Sequence, residues 1–338
     1  MALDLAKVRE RAANAACLTE SGYPSAIPGR IAHIDADFTA HQVAAETKAE
    51  LDPIDPTPRK SVYDMKCNAY SGITHIRKMA RAEKAVVHVT RSETKGNRTE
   101  IAKLKPYQGN RDSLNNPEHL ELIRDFIATG CAGFTDSLDE IQGIVWSMQE
   151  ADDGMAQAHF KDPHNTVICS ADKDLLMVPG YKLDIRNQSV RWDDSFGWID
   201  LDCSKSAKKL VGVGTKFFWA QCLMGDPADN INGIPLVPSA FLENVKSKPK
   251  KCGPAMAHYL LKDAESDNEC FKIVKQCYKL LHENHGYEFC DYRDSNVKLT
   301  PTQALLSEMK LLWMRRSPDE NDVLDWIKKM TLWSGGAS

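Results

Sequence analysis

The sequence predicts an α/β fold with a mostly parallel central sheet flanked by helices, followed by a helical C-terminal part. Three observations support this. Short apolar, β-branched runs at 31–34, 85–89, 144–148 and 166–169 alternate with segments of helical spacing. From about residue 207 the pattern turns helical and stays so to the end. The chain has 338 residues, 42% hydrophobic and 27% charged, which is enough apolar material for a core and too much for disorder.

The elements follow in order. Residues 1–30 read as an extension, with a helix over 3–16 and a Gly/Pro-rich link, SGYPSAIPGR. A buried strand over 31–34 ends at Asp35, and a helix is expected over 39–51 before a Pro-rich spacer, DPIDPTP. The strand at 85–89 leads into a strongly basic, polar stretch, 91–111. A helix over 116–128 has Pro117 suited to its first turn. Strand 144–148, helix 152–160, strand 166–169 and a short helix over 172–177 come next, then small strands at 181–185, 189–192 and 198–201. The lone GxG in 211–215 reads as a turn, because it lacks the rest of a nucleotide-binding fingerprint. Residues 217–224 are apolar, GDPADNINGIP follows, and helices are expected at 254–262, 267–284, 301–314 and 320–330. The expected organisation is therefore an extension (1–30), an α/β domain (31–205) and a helical part (206–338).

Composition also sets the expected compartment. No apolar run reaches the ~18 residues of a membrane-spanning helix. The N-terminus is of mixed charge without an apolar signal core, which argues against secretion. Ten cysteines without a CxxC pair read as reduced thiols in a cytoplasmic protein. Cys277, His282, His285 and Cys290 match no standard zinc spacing and read as ordinary core and surface residues, so zinc is not expected.

The chemistry lies in the acids. Four clusters fall at strand ends or helix starts: Asp35 with Asp37, Glu150 with Asp152 and Asp153, Asp172 with Asp174, and Asp226 with Asp229. Ligands of parallel α/β sheets bind beyond the C-terminal strand ends, so these strand ends would gather the acids in one place. Carboxylates crowded together raise each other's pKa unless cations neutralise them. Oxygen-only donors suit Mg²⁺ or Mn²⁺. Setting eight of the 47 acids aside as such a site leaves the 43 bases in excess, so a chain of net charge −4 can still present a basic surface.

HIDADF, KPYQGNR, EADDG, SADKDL and GDPADNINGIP occur in this order across residues 33–235. Together they resemble the 5′-nuclease (flap endonuclease) superfamily, notably phage-encoded 5′→3′ exonucleases and the 5′-nuclease domain of bacterial DNA polymerase I. The resemblance implies a PIN-like fold with a helix–three-turn–helix element. It implies metal-dependent hydrolysis of phosphodiesters near a 5′ end, leaving 5′-phosphates, in phage-type replication or recombination. Carried over by motif, Asp35, Glu150, Asp152, Asp153, Asp172, Asp174, Asp226 and Asp229 match the family's ligands for two Mg²⁺ or Mn²⁺ ions. Asp37 stays outside that set.

The expected partner is DNA with free 5′ ends or flaps, with RNA–DNA hybrids as a further substrate, and the expected state is a monomer. The arch segment over about 91–130 would offer Lys95, Arg98, Lys103 and Tyr107 to a single strand. Lys105 and Arg111 would act at the scissile phosphate. Lys246, Lys248, Lys250 and Lys251, following a helix expected from about Pro238, would grip the duplex backbone.

The sequence departs from the family pattern in three places. The stretch after the second strand reads HVTRSETKG, where the family has an aspartate, leaving Glu93 as the nearest acid. The family's Tyr-Lys-x-Asn-Arg reads Tyr107-Gln108-Gly109-Asn110-Arg111, so its lysine is a glutamine; Lys103 or Lys105 could supply the charge. The glycine-rich turn after GIP is Leu236-Val237-Pro238, so a monovalent-cation site is not carried over. These departures leave a catalytically weak, branched-DNA-binding relative as the alternative reading. HIDADF alone also resembles a motif of lesion-bypass polymerases, but the remaining polymerase signature is missing.

Overall fold

The computed structural model describes residues 22–45, 60–91, 95–110, 116–134, 140–185, 187–204, 208–242 and 251–334. The expected helix at 3–16, the Pro-rich spacer, the end of the expected helix at 39–51 and Glu93 lie outside these residues. The chain divides into two compact units that interleave along the sequence. One comprises 1–91, 115–171 and 180–192; the other comprises 92–114, 172–179 and 193–338. The sequence-based boundary near 205 does not coincide with this division, because the basic stretch and the SADKDL segment belong with the C-terminal half.

The first unit is built on a six-stranded sheet of order β3-β2-β1-β4-β5-β6. Its strands are β1 (Ile27–Asp35), β2 (Ala82–Thr90), β3 (Ile141–Trp146), β4 (Thr166–Cys169), β5 (Gly180–Asp184) and β6 (Ser189–Asp193). The pairings β1–β2, β1–β4, β2–β3 and β4–β5 are parallel. The chain thus runs outward from β1 to β3, then returns to β1's other side for β4. That reversal puts the topological switch point, the usual ligand crevice, between the C-terminal ends of β1 and β4.

Alternation along each strand separates the two faces. Ala32, Ile34, Val87, Val89, Val167 and Cys169 join one buried cluster. Packed with them are α1 (Ala36–Ala44), α2 (Val62–Met79) and α4 (Leu120–Ala128). The sequence pattern assigns nothing to α2. Only Met65, Ala69 and Ile73, four residues apart, are buried on it, and its remaining residues are too polar to raise an apolar signal. Its start is nonetheless encoded, by a Ser61/Asp64 capping box.

The opposite face carries α5 (Ala151–Lys161) and a buried polar chain. Trp146 Nε1 donates to His88 Nδ1 (3.0 Å), and His88 Nε2 lies 3.0 Å from His33 Nδ1. The indole proton fixes His88 as the Nε2–H tautomer, so His88 donates to His33. Burial lowers both imidazoles, His33 to about 4, so both are neutral at pH 7. α5 lies on Trp146 through Gly154, where an added Cβ would come within 2.0 Å of the indole.

The second unit contains the antiparallel pair β7 (Trp198–Asp202) and β8 (Lys209–Val213), which places the lone GxG at the end of a strand and the start of a helix rather than in a free turn. The helix it enters, α6 (Gly214–Met224), is largely apolar and buried from Gly214 through Leu223. Around it lie α7 (Pro254–Leu261), α8 (Asp267–His285), α9 (Pro301–Leu312) and α10 (Asp322–Ser334). Trp219, Trp313 and Trp326 stack beside Phe218, with Trp313 and Trp326 centroids 4.6 Å apart. A hairpin of β9 (Phe289–Asp291) and β10 (Asp294–Leu299) was not expected, because β10 is exposed and polar and shows no apolar alternation.

The basic stretch is fastened into this unit rather than left in solvent. Its short helix α3 (Arg98–Ile101) packs on α9. Arg98 is 1% exposed and donates to the carbonyls of Leu311 and Trp313 (3.4 and 3.3 Å), at the C-terminal end of α9. Ser307 donates to Ile101 O, and Arg293 to Ala102 O and Thr99 O. Among the described residues no helix is long and apolar enough to cross a membrane, and the described cysteines are free thiols.

Substituting Gly154 tests the α5–Trp146 contact. Alanine would ordinarily favour a helix interior by roughly 1 kcal/mol. Here the rigid indole clash dominates, so Gly154→Ala should destabilise the protein by about 1–3 kcal/mol in denaturant unfolding.

Candidate metal centre

The turn Gly225–Pro235 presents two of the acids. Asp226 and Ile231 exchange backbone hydrogen bonds (3.0 and 2.8 Å) and close the loop. Gly225 and Gly233 cross so tightly that a Cβ on Gly233 would sit 2.3 Å from Gly225 N, and both adopt positive φ. Glu308 of α9, 1% exposed, accepts from Gly233 N (3.0 Å) and pins the loop from below. Asp229 lies at the loop's tip; Asn230 Nδ2 of the loop donates to Pro106 O, and Asn110 Nδ2 donates to Pro227 O of the loop (both 2.9 Å).

Asp174 joins them from a single 3-10 turn, Asp174–Met177. Carboxylate oxygens of Asp174, Asp226 and Asp229 lie within 4.8 Å of one another, and this is the one such group among the described residues. Asp174 and Asp226 are 8% and 1% exposed. Burial, then the neighbouring Asp172, pushes the Asp174 carboxyl up to about 7. Burial also raises Asp172, with Asp229 and Asp226 adding to the effect. Asp172 Oδ1 meanwhile accepts from Asp174 N (2.8 Å).

Each carboxylate has a side-chain partner, an ammonium for one and glutamine amides for the other two. Lys173 Nζ pairs with Asp226 Oδ2, and Ala228 N donates to Asp226 Oδ1 (2.9 Å). Gln221 Nε2 donates to Asp174 Oδ1, while Gln221 Oε1 is buried with no hydrogen-bond partner. Gln108 Nε2 donates to Asp229 Oδ1 (3.0 Å). The donor set fits a hard divalent cation: three converging carboxylates, no nitrogen or sulfur, a carboxyl that burial holds near neutrality, and an orphaned amide oxygen that a hydrated ion could satisfy.

The acids of the first unit lie at the switch point of its sheet. Asp35 ends β1 and N-caps α1, accepting from Phe38 N (3.1 Å) and from Ser170 Oγ (2.9 Å) just past β4. Glu150 is the N-cap residue of α5, and Asp152 and Asp153 occupy its first turn, Asp153 fully buried. Among the described residues these four form no group of three within ligand reach of one ion. Asp37 instead ties elements of the first unit together. Thr90 N donates to its Oδ2 (3.0 Å), and Arg124 Nε lies 3.0 Å from its Oδ1 without pointing its N–H along that line.

The basic residues are distributed differently from the expectation. Arg98 is corrected from a nucleic-acid contact to a buried cap of α9, because a desolvated guanidinium is held by the carbonyls around it. Tyr107 is 8% exposed, so its ring is not open to a base; its hydroxyl lies 3.5 Å from Asp229 Oδ2. Lys103 is 3.5 Å from Asp291. Lys105 and Lys251 are exposed, and both lie near enough to Glu308 to lower its pKa, although burial, the larger effect, keeps that carboxyl at about 7. Arg111, Lys246, Lys248 and Lys250 lie outside the described residues; of the helix expected from Pro238, residues 238–242 are described and form only a single turn, Ser239–Phe241.

Three partners of the site were not singled out from sequence: Gln221, Lys173 and Glu308. Gln221 carried a signal, being the lone amide in an otherwise apolar helix, FFWAQCLM. Lys173 lay inside SADKD, and Glu308 gave no signal.

No protein-family model matches the chain, and no curated protein matches it. Among solved structures, it is similar to a bacteriophage T5 flap endonuclease pseudo-enzyme–product complex with DNA and metal ions, with TM-score 0.41, 12% identity, and coverage of 84% of this chain and 99% of that one. It is also similar to a T5 5′-exonuclease with zinc bound, with TM-score 0.40, 13% identity, and coverage of 84% and 100%.

Raised carboxyls have a defined pH signature. Asp174 and Glu308 hold their protons to about pH 7 when folded and only to about pH 4 when unfolded. Between those values the folded state binds more protons, so rising pH costs stability across that window. Metal-free protein should therefore lose stability from pH 5 to pH 8, and Asp174→Asn should flatten the loss in denaturant titrations. Adding Mn²⁺ near pH 7 should release protons, seen calorimetrically as a dependence of binding heat on buffer ionisation enthalpy.

Proposed function

We propose that this protein is a divalent-metal-dependent phosphodiesterase, a 5′→3′ exonuclease and flap endonuclease that acts on DNA, and on RNA in RNA–DNA hybrids, to leave 5′-phosphates. The observation that carries the reading is the converging triad Asp174, Asp226 and Asp229, of which Asp229 is only half-buried, built on two of the five ordered motifs that resemble 5′-nucleases. When bound, a pair of divalent ions supplies Lewis acidity and an activated water for in-line displacement at phosphorus. The chain's own part is to hold and tune the acids. The triad would bind one cation, and Asp172 adds charge at its edge. Asp35, Glu150, Asp152 and Asp153 are assigned to metal binding by their motifs alone. Lys173 partly neutralises Asp226, and Gln221 orients Asp174. Exposed cations such as Lys105 and Lys251 would meet the phosphate backbone without reading sequence.

The working context of this reading is a cytoplasmic protein, acting on replication or recombination intermediates of the phage type. A second reading, a relative that grips branched DNA but cuts poorly, is favoured by Gln108 standing where the family has lysine.

A 5′-labelled flap with Mg²⁺ or Mn²⁺, with and without chelator, separates the two. Cleavage that the chelator abolishes supports the nuclease; retention without cleavage under every metal supports the binding protein. Asp172→Asn and Asp153→Asn should each lower cleavage by more than the roughly 10–100-fold that loss of an outer-sphere partner causes. Flap binding measured by mobility shift in Ca²⁺ should persist in both. Full activity in both variants would remove the metal assignment.

A further inference from the structure

We infer that the first unit carries an oxyanion site at the end of its sheet opposite to the acids, where Arg77, Lys78 and Arg81 line a cavity and take a phosphate group. The cavity measures about 210 Å³; besides the three cations it is lined by Tyr23 and by small residues at the starts of β1 and β2, and no carboxylate lines it. Ile27 N donates to Arg81 O (2.8 Å), which joins the start of β1 to the residue before β2. Asp35 ends the same nine-residue strand, so about 25 Å separates the cavity from that acid.

The protein uses these cations only in part. Arg77 Nη1 donates to Glu83 O (2.7 Å) and Nη2 to Glu140 Oε2 (3.1 Å), but its Nε is buried with no hydrogen-bond partner. Lys78 Nζ lies 5.1 Å from the centre of the Tyr23 ring, and among the described residues it pairs with no carboxylate. Tyr23 is held in turn, its hydroxyl 2.8 Å from His75 Nδ1. The neighbouring carboxylates are engaged elsewhere, Glu140 with Arg77 and Glu83 with Gly29 N (2.8 Å).

Two of the charges, Arg77 and Lys78, stand in the last turn of α2, where the helix dipole favours cations. The dipole does not account for Arg81. This residue follows the C-cap of α2 with φ 56°, the left-handed position that glycine usually fills, and its Nε donates to Ser25 O (3.0 Å). Nor does the dipole account for Arg30, which reaches the same end of the sheet from β1. Its guanidinium is 8% exposed, lies 4.9 Å from the Tyr181 ring centre, and has a buried Nε without a hydrogen-bond partner. Burial lowers the pKa of Arg30; Tyr181 opposes this and Arg81 adds to it, so the two guanidinium groups feel each other's charge. Crowded cations with unfilled N–H donors call for an anion. A phosphate group suits them, because its oxygens accept from several cations at once and match the guanidinium fork.

The test uses the full chain with chelator present, so that the metal-free acid site repels anions. Thermal unfolding and calorimetric titration are followed with inorganic phosphate and with dTMP, at ionic strength held constant with NaCl. Both probes should raise the unfolding temperature of the wild-type protein. Lys78→Met and Arg81→Gly should each weaken binding by about tenfold or more, as loss of one charge-assisted hydrogen bond does. Lys78→Met should unfold at the wild-type temperature without phosphate, and glycine keeps the left-handed backbone at position 81. A thymidine oligonucleotide without terminal phosphates separates two sources of the group. Weaker oligonucleotide binding by Lys78→Met supports a site for the backbone of a strand. Weaker binding of phosphate and dTMP alone supports a site for a free phosphate ligand. Wild-type affinity of both variants for all three probes, or no binding of any probe, would overturn the inference. Neither result depends on whether the protein cuts DNA.

Discussion

Mutual repulsion among buried carboxylates is the constraint on which the second unit depends. Asp174, Asp226 and Asp229 meet within 4.8 Å, and the first two are buried with little water to screen them. Left to itself such a group would splay apart or take up protons. The fold prevents the first with a loop closed by two crossing glycines and anchored on Glu308, so Asp226 and Asp229 cannot retreat. It limits the second with partners chosen for each acid: an ammonium for Asp226, and amides for Asp174 and Asp229. The raised pKa of Asp174 is what remains of the cost, and a divalent cation is the natural way to discharge it.

Basic residues serve two different ends. Arg98, Arg293, Arg315 and Lys216 donate to backbone carbonyls, several at helix ends or turns. Lys216, for instance, closes the end of α7 through Lys262 O and Ala264 O. Cations of this kind tie segments distant in sequence to one another, and the buried ones, Arg98, Arg315 and Lys216, are not available to a polyanion. Lys105 and Lys251 remain exposed, and Lys95 is held beside the triad. A count of lysines and arginines along 91–111 therefore overstates the positive surface that this stretch offers.

Much of the architecture was legible in the residues themselves. The parallel strands β1, β2 and β4 are β-branched apolar runs, and the acids that follow β1 and β4 stand out in the sequence; the order of the strands in the sheet does not. The late helices α7 to α10 declare themselves by apolar spacing, with Pro254 and Pro301 in first turns. Helix α2 and the β9–β10 hairpin did not, because each buries few side chains and devotes its sequence to solvent-facing positions. At the site, the acids were legible by clustering, whereas Gln108 looked like a loss of function. In the structure it donates to Asp229, 121 residues downstream and adjacent only after folding.

The sequence by itself marked the acids, because clusters of carboxylates at strand ends and helix starts are a local pattern. It also determined the parallel α/β unit, since hydrophobic periodicity is a local property. Tertiary structure decided the pairing of charges: which acids share one ion's reach, which cations are buried as helix caps, and which lysine stands beside the triad. Those outcomes depend on distances between segments far apart in sequence, and residue spacing along the chain carries no record of such distances.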